Sequence, residues 1–143
     1  MVAGAAILAA TAITADAHGQ AQGTTQGEAQ PQETVTPLFK GALPNVPGKA
    51  LLAAEVLFPP GDASPPHTHP KSAFIYAYVL SGEIISAVDD EKPRVYRTGE
   101  SWQEVPGAHH RVASNASKTK PAKLLVIFVM DPGETQLVFP DPK

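Results

Sequence analysis

Residues 73–88 read AFIYAYVLSGEIISAV. Aromatic and β-branched side chains fill Ala73 to Leu80, Ser81-Gly82 interrupts them, and Glu83 to Val88 resumes the same composition. Such residues suit a pleated, half-buried surface, and Ser-Gly marks the place where the chain reverses. This stretch is therefore two strands and their connection. The same alternation of short apolar segment and turn signal extends in both directions. Leu51 to Phe58 stops at Pro59-Pro60-Gly61, and Asp89-Asp90-Glu91-Lys92 forms a hairpin tip before a short polar strand from Arg94 to Arg97. Ser101 to Val105 precedes a tight Pro106-Gly107 turn, and His110 to Ala113 follows it. Lys123 to Met130 (KLLVIFVM) is a continuous apolar run suited to a buried strand, and Gln136 to Phe139 closes the set. About eight short strands without a capped amphipathic helix predict an all-β domain. Closure into a small barrel or double-sheet jelly roll hides the sheet edges that such a set exposes.

Composition agrees. The chain has 143 residues, enough for one domain, with 15 prolines and 11 glycines that weigh against a helical bundle. Eleven basic against 14 acidic residues give a net charge of −3 and no basic stripe, so no nucleic-acid partner is expected. Cysteine is absent, which excludes disulfides, thiolate catalysis and Cys-ligated zinc.

The N-terminal part differs in character. Val2 to Ala15 is apolar and is followed by Ala15-Asp16-Ala17, a small-x-small cleavage pattern. The run is shorter than the ~20 residues a membrane span needs, so no span is expected. Residues 1–17 read as a signal peptide, which predicts a periplasmic or secreted protein, although no Lys or Arg precedes the apolar run. An Ala-rich tail is the alternative. Residues 18–34, rich in Gln, Gly, Thr and Ala, read as a flexible linker, with His18 a solvated tail histidine. Residues 35–143 form the single barrel domain.

Four of the five histidines fall in two tight groups, His67 with His69 and His109 with His110. Pro65, Pro66 and Pro70 favour an extended backbone, in which residues two apart share a face. His67 and His69 then present two imidazoles to one side. A third from another strand completes a facial set for a divalent transition metal such as Mn, Fe, Ni, Cu or Zn. Of the second pair only one ring can point inward.

The spacing Gly61-x5-His67-Thr68-His69 with Gly82 beyond, and Gly99-x7-Gly107-x2-His110 with Asn115 beyond, resembles the two motifs of the cupin superfamily. The likeness is greatest to small single-domain cupins carrying H-x-H-P, Y-V-L-x-G and G-E-S-W-x-E-x-P-G-x-H-H-R-V-x-x-N, found here at His67–Pro70, Tyr78–Gly82 and Gly99–Asn115. The resemblance implies that His67, His69 and His110 are metal ligands and that His109 faces outward or supports them from behind. The carboxylate ligand of the family would fall near Phe74 or Ile75, neither of which can ligate. Glu104 is the candidate replacement: in a strand it shares a face with Trp102, whose family counterpart looks into the cavity. An inward Glu104 is either a ligand or a catalytic general acid/base; otherwise it sits at the exposed rim. Trp102 either walls the pocket or fills the core. Tyr76 and Tyr78 belong on the outer face, where they can pack against another sheet or a second copy in a homodimer.

Fold alone leaves the function open. The sequence accommodates a metal-dependent oxidoreductase of dioxygenase type, or an enzyme modifying a small acid or sugar, with a small-molecule substrate in the barrel mouth. It also accommodates a barrel that binds metal or a small ligand without turnover, and a structural barrel whose histidines do nothing.

Overall fold

A computed structural model of the protein describes residues 32–143. The signal-peptide reading of residues 1–17, His18 and nearly all of the linker lie outside the described residues. The chain forms β1 (Thr34–Ala42), β2 (Ala50–Phe58), β3 (Ala63–Ser64), β4 (His67–Thr68), β5 (Phe74–Ser81), β6 (Glu83–Val88), β7 (Arg94–Arg97), β8 (Ser101–Glu104), β9 (His109–Asn115), β10 (Ala122–Met130) and β11 (Phe139–Pro140). No helix occurs among the described residues, so the all-β expectation holds.

Two antiparallel sheets face each other. One runs β1-β2-β10-β5-β8; the other runs β11-β4-β9-β6-β7, with β3 also paired to β9. β5 alternates strictly, with Ile75, Ala77 and Val79 buried while Phe74 and Tyr76 are exposed. β10, flanked on both sides, buries Leu124, Val126, Phe128 and Met130 on its inner face and half-buries the residues between them. Its unbroken apolar run thus reflects a central strand. The turn from β5 to β6 carries the chain from one sheet to the other at Gly82, whose φ is +77° and where a Cβ would sit 2.8 Å from the Pro121 carbonyl oxygen. Both facts demand glycine.

Two expectations need correction. Gln136 to Phe139 is not a strand; only Phe139–Pro140 pairs, with β4. The Asp131-Pro132-Gly133 turn sends the chain across the barrel mouth instead, and Gln136 bonds locally to the Val138 carbonyl. Conversely, Thr34–Ala42 is a nine-residue edge strand that the sequence reading did not single out. Its register shifts between Pro37 and Phe39 and almost all of it is exposed, so no two-residue period survives to be read.

Asn115 closes the loop behind β9. Its Nδ2 donates to the carbonyls of Phe58, Pro59 and Lys120 at 3.2, 3.0 and 2.7 Å, and its Oδ1 accepts from Ser117 N at 2.9 Å. Arg111 donates to the Asp89 carbonyl and, at 2.6 Å, to that of Glu91, holding the β6–β7 hairpin tip.

Candidate metal centre

The register of β4 against β9 pairs His67 with His110 directly, and Thr68 with His109. His69 lies two residues beyond His67 on the same side. The three rings therefore converge, with centroids 4.8 Å (His67–His69), 5.2 Å (His67–His110) and 6.3 Å (His69–His110) apart. All three residues are buried, and one nitrogen from each lies within 4.8 Å of the others. His109, one residue along β9, points the opposite way and meets Asp141 Oδ2 at 2.9 Å near the surface.

The carboxylate is inside. Glu104 is 2% exposed and sits opposite Ile75 in the β5–β8 register. Ile75 is one of the two positions where the resemblance leads one to expect a carboxylate, and cross-strand neighbours have Cβ atoms only ~5 Å apart. The rim placement of Glu104 is thereby ruled out. Its Oε1 accepts from Trp102 Nε1 at 3.0 Å and lies 3.3 Å from His110 Nδ1; its Oε2 lies 3.2 Å from His69 Nε2. Trp102 itself packs between Tyr96 and His110 and lines the cavity, so it both walls the pocket and fills space.

Hydrogen bonds fix the tautomer of two rings. A backbone carbonyl can only accept, so His67 Nδ1 donates to Pro65 O at 2.8 Å and His69 Nδ1 donates to Leu137 O at 2.7 Å. In neutral rings this leaves both Nε2 atoms as free lone pairs, the arrangement usual for metal-binding histidines. The Nε2 lone pair of a neutral His69 would face Glu104 Oε2 across 3.2 Å, and that oxygen is buried with no well-formed hydrogen bond. Two acceptors this close repel unless a positive charge lies between them, either a proton on His69 or a metal ion. The donor set therefore fits a divalent cation: imidazole nitrogens plus one carboxylate.

Charges respond to burial. Desolvation lowers the pKa of His67 and takes that of His110 down to about 4, favouring neutral rings able to ligate. Burial pushes Glu104 upward, but the facing His69 and His110 and the Trp102 N–H outweigh it and hold Glu104 below the ordinary carboxylate value.

Two supports were not visible in the sequence. Ser86 Oγ lies 2.9 Å from His110 Nε2, buried within the apolar run Ile84–Val88 of β6; a polar residue in the middle of that run was the available signal. The Leu137 carbonyl comes from the C-terminal segment, which is pinned across the mouth by Ser72–Glu134 (2.6 Å), Lys49–Asp131 (2.7 Å) and Asp141 N to Pro66 O (3.0 Å). The cavity behind this centre measures about 470 Å³. Among the described residues no helix is long and apolar enough to cross a membrane.

A protein-family model described as the cupin domain matches residues 54–128, just over half of the chain. No curated protein matches. Among solved structures, TT1209 from Thermus thermophilus is 25% identical with a TM-score of 0.57, over 69% of this chain and 84% of its own. A cupin protein of double-stranded β-helix fold from Methanocaldococcus jannaschii is 16% identical with a TM-score of 0.55, over 70% of this chain and 82% of its own, a likeness of fold alone. An oxalate oxidase complexed with the substrate analogue glycolate is 29% identical with a TM-score of 0.55; the match spans 71% of this chain and 53% of that one.

Proposed function

The chain belongs to the cupin domain family, and on that premise we propose that it is a metal-dependent enzyme of dioxygenase type acting on a small organic molecule in the barrel. His67, His69 and His110 hold one divalent transition metal. The observation that carries this is the buried, unpaired Glu104 Oε2 facing His69 Nε2, with His67 and His110 alongside. A metal held there would supply Lewis-acid or redox chemistry.

The chain's own groups do the rest. The Pro65 and Leu137 carbonyls fix two ring orientations, and Ser86 fixes the third. Glu104 either completes the ligand set in place of the family carboxylate or takes the acidic proton of a substrate, its Trp102 bond holding it in position. Trp102 and the aliphatic wall keep water from the centre.

Metal analysis of untagged protein, reconstituted in turn with Mn, Fe, Ni, Cu and Zn, tests the centre: about one equivalent is expected, and less than about a tenth refutes it. Oxygen uptake with chelating organic substrates tests catalysis. A second reading, a barrel that binds without turnover, draws on the proximity of Glu104 to the imidazoles, since a carboxylate ligand there leaves fewer open positions. Metal uptake with no oxygen consumption supports it.

On sequence grounds we also propose export, which N-terminal sequencing of the mature protein checks. A homodimer that buries the exposed face carrying Phe74 and Tyr76 is checked by light scattering.

A further inference from the structure

The cavity is far more selective in chemistry than in size. Its wall is aliphatic and aromatic, built from Leu52, Val56, Ile75, Leu124, Val126 and Phe128. Polar atoms are confined to the metal centre and to a few rim groups. No lysine or arginine lines it among the described residues. Its two formally charged groups are both carboxylates: Glu104 inside, and Glu33 at the rim, bonded to Ser64 Oγ.

A bound metal ion would attract any chelating anion, so selection must come from the rest of the cavity: away from the metal, a small dicarboxylate would lose its hydration beside the like charges of Glu104 and Glu33. It would find no guanidinium or ammonium to replace the lost water. It would also leave most of the wall uncovered. A volume of about 470 Å³ lies in the range of pockets that enclose whole organic molecules, whereas oxalate has only about six non-hydrogen atoms. Burial of apolar ligand surface against that wall is the main favourable contribution the protein offers away from the metal.

We propose that the ligand of this barrel is an uncharged, predominantly apolar molecule bearing one bidentate oxygen pair, and that small dianionic acids are selected against. The inference rests on the metal-centre reading for the chelating pair and on the wall for the apolar body. It separates this chain from the oxalate oxidase whose fold it shares.

Isothermal titration calorimetry tests it, using untagged protein both metal-free and loaded with redox-inert Zn(II). Benzohydroxamic acid is the probe: it is aromatic, uncharged in neutral solution, and bidentate once its N–OH proton passes to buffer or to Glu104 on chelation. Acetohydroxamic acid carries the same chelating group without the ring, and oxalate represents the dianions. Loaded protein is expected to bind benzohydroxamic acid at least about tenfold more tightly than either, with a negative heat-capacity change. Glu33→Lys at the half-buried rim should raise oxalate affinity and narrow the gap. Equal affinity for the two hydroxamic acids, or oxalate binding as tightly as the aromatic probe, overturns the proposal. So does zinc uptake without any binding of the aromatic probe. If zinc is not taken up but the metal-free protein still prefers the aromatic probe, the cavity's selection stands and the metal centre falls.

Discussion

The two sheets divide the labour. The six-stranded sheet supplies His67, His110 and Ser86, with His69 following directly on β4, and it does so from short or bent strands: β4 has two residues, with His69 alone between it and Pro70, and β6 shifts register against β9 between Ala87 and Val88. The five-stranded sheet supplies the apolar wall from regular strands, β2 and β10 being nine residues each, and one carboxylate from its edge strand β8. Long paired strands make a rigid hydrophobic surface. Short ones flanked by proline place donors at angles that a regular pleat does not offer. Substitutions in the apolar strands of one sheet should therefore disturb stability, and those at the imidazoles of the other, or at Glu104, should disturb the ion.

The largest effect should come from the wall. Leu124→Ala removes a side chain 4% exposed from the inner face of β10 and is expected to cost about 3 kcal/mol in urea unfolding, while metal stoichiometry in the folded fraction is kept. Loss of metal at intact stability would break the division between the sheets.

A comparable effect follows from pH, and it comes from the imidazole-bearing sheet. An unfolded histidine takes up its proton near 6.5, whereas His110 does so only at about 4. Between those values the unfolded chain binds more protons, so stability falls as pH falls through that window. The contribution of His110 in metal-free protein is on the order of 3 kcal/mol. His67 acts in the same direction, and Glu104 extends the loss as pH drops through its own lowered range. Chemical denaturation of metal-free protein from pH 7 to pH 4 measures this. A flat profile would mean that the rings are not held neutral by burial.

Next come His67→Ala and His110→Ala, each expected to weaken metal binding at least about tenfold in chelator competition. Deleting residues 134–143 removes the Leu137 carbonyl that orients His69, together with the short β11 that pairs with β4, and should weaken metal binding by at least about tenfold while leaving the pairing of β1 to β10, read by circular dichroism, in place. Unchanged affinity would reduce the strap to a cover. The smallest effect belongs to His109→Ala, which should leave metal affinity unchanged because its ring lies on the outer side of β9. Equal losses at His109 and His110 would show that the register of β9 is wrong.

Much of this could be read from residues alone, for identifiable reasons. β5 and β6 are legible because aromatic and β-branched residues flank a Ser-Gly turn whose glycine the close approach of Pro121 requires. β1 is not, because an exposed, proline-bearing edge strand has no buried face to impose a period. The stretch 136–139 misleads because Leu137, Val138 and Phe139 are apolar for different purposes: Leu137 packs against the core, Val138 lines the cavity, and Phe139 pairs with β4.

The two histidine groups, their prolines and the glycine spacing determine by themselves which rings can share a face, since backbone geometry fixes that locally. Whether Glu104 faces the imidazoles depended on β8 lying against β5 with Ile75 opposite it, and the proton on His69 depended on a carbonyl 68 residues away. Local sequence sets side-chain direction along one strand; only the pairing of distant strands sets what each side chain meets.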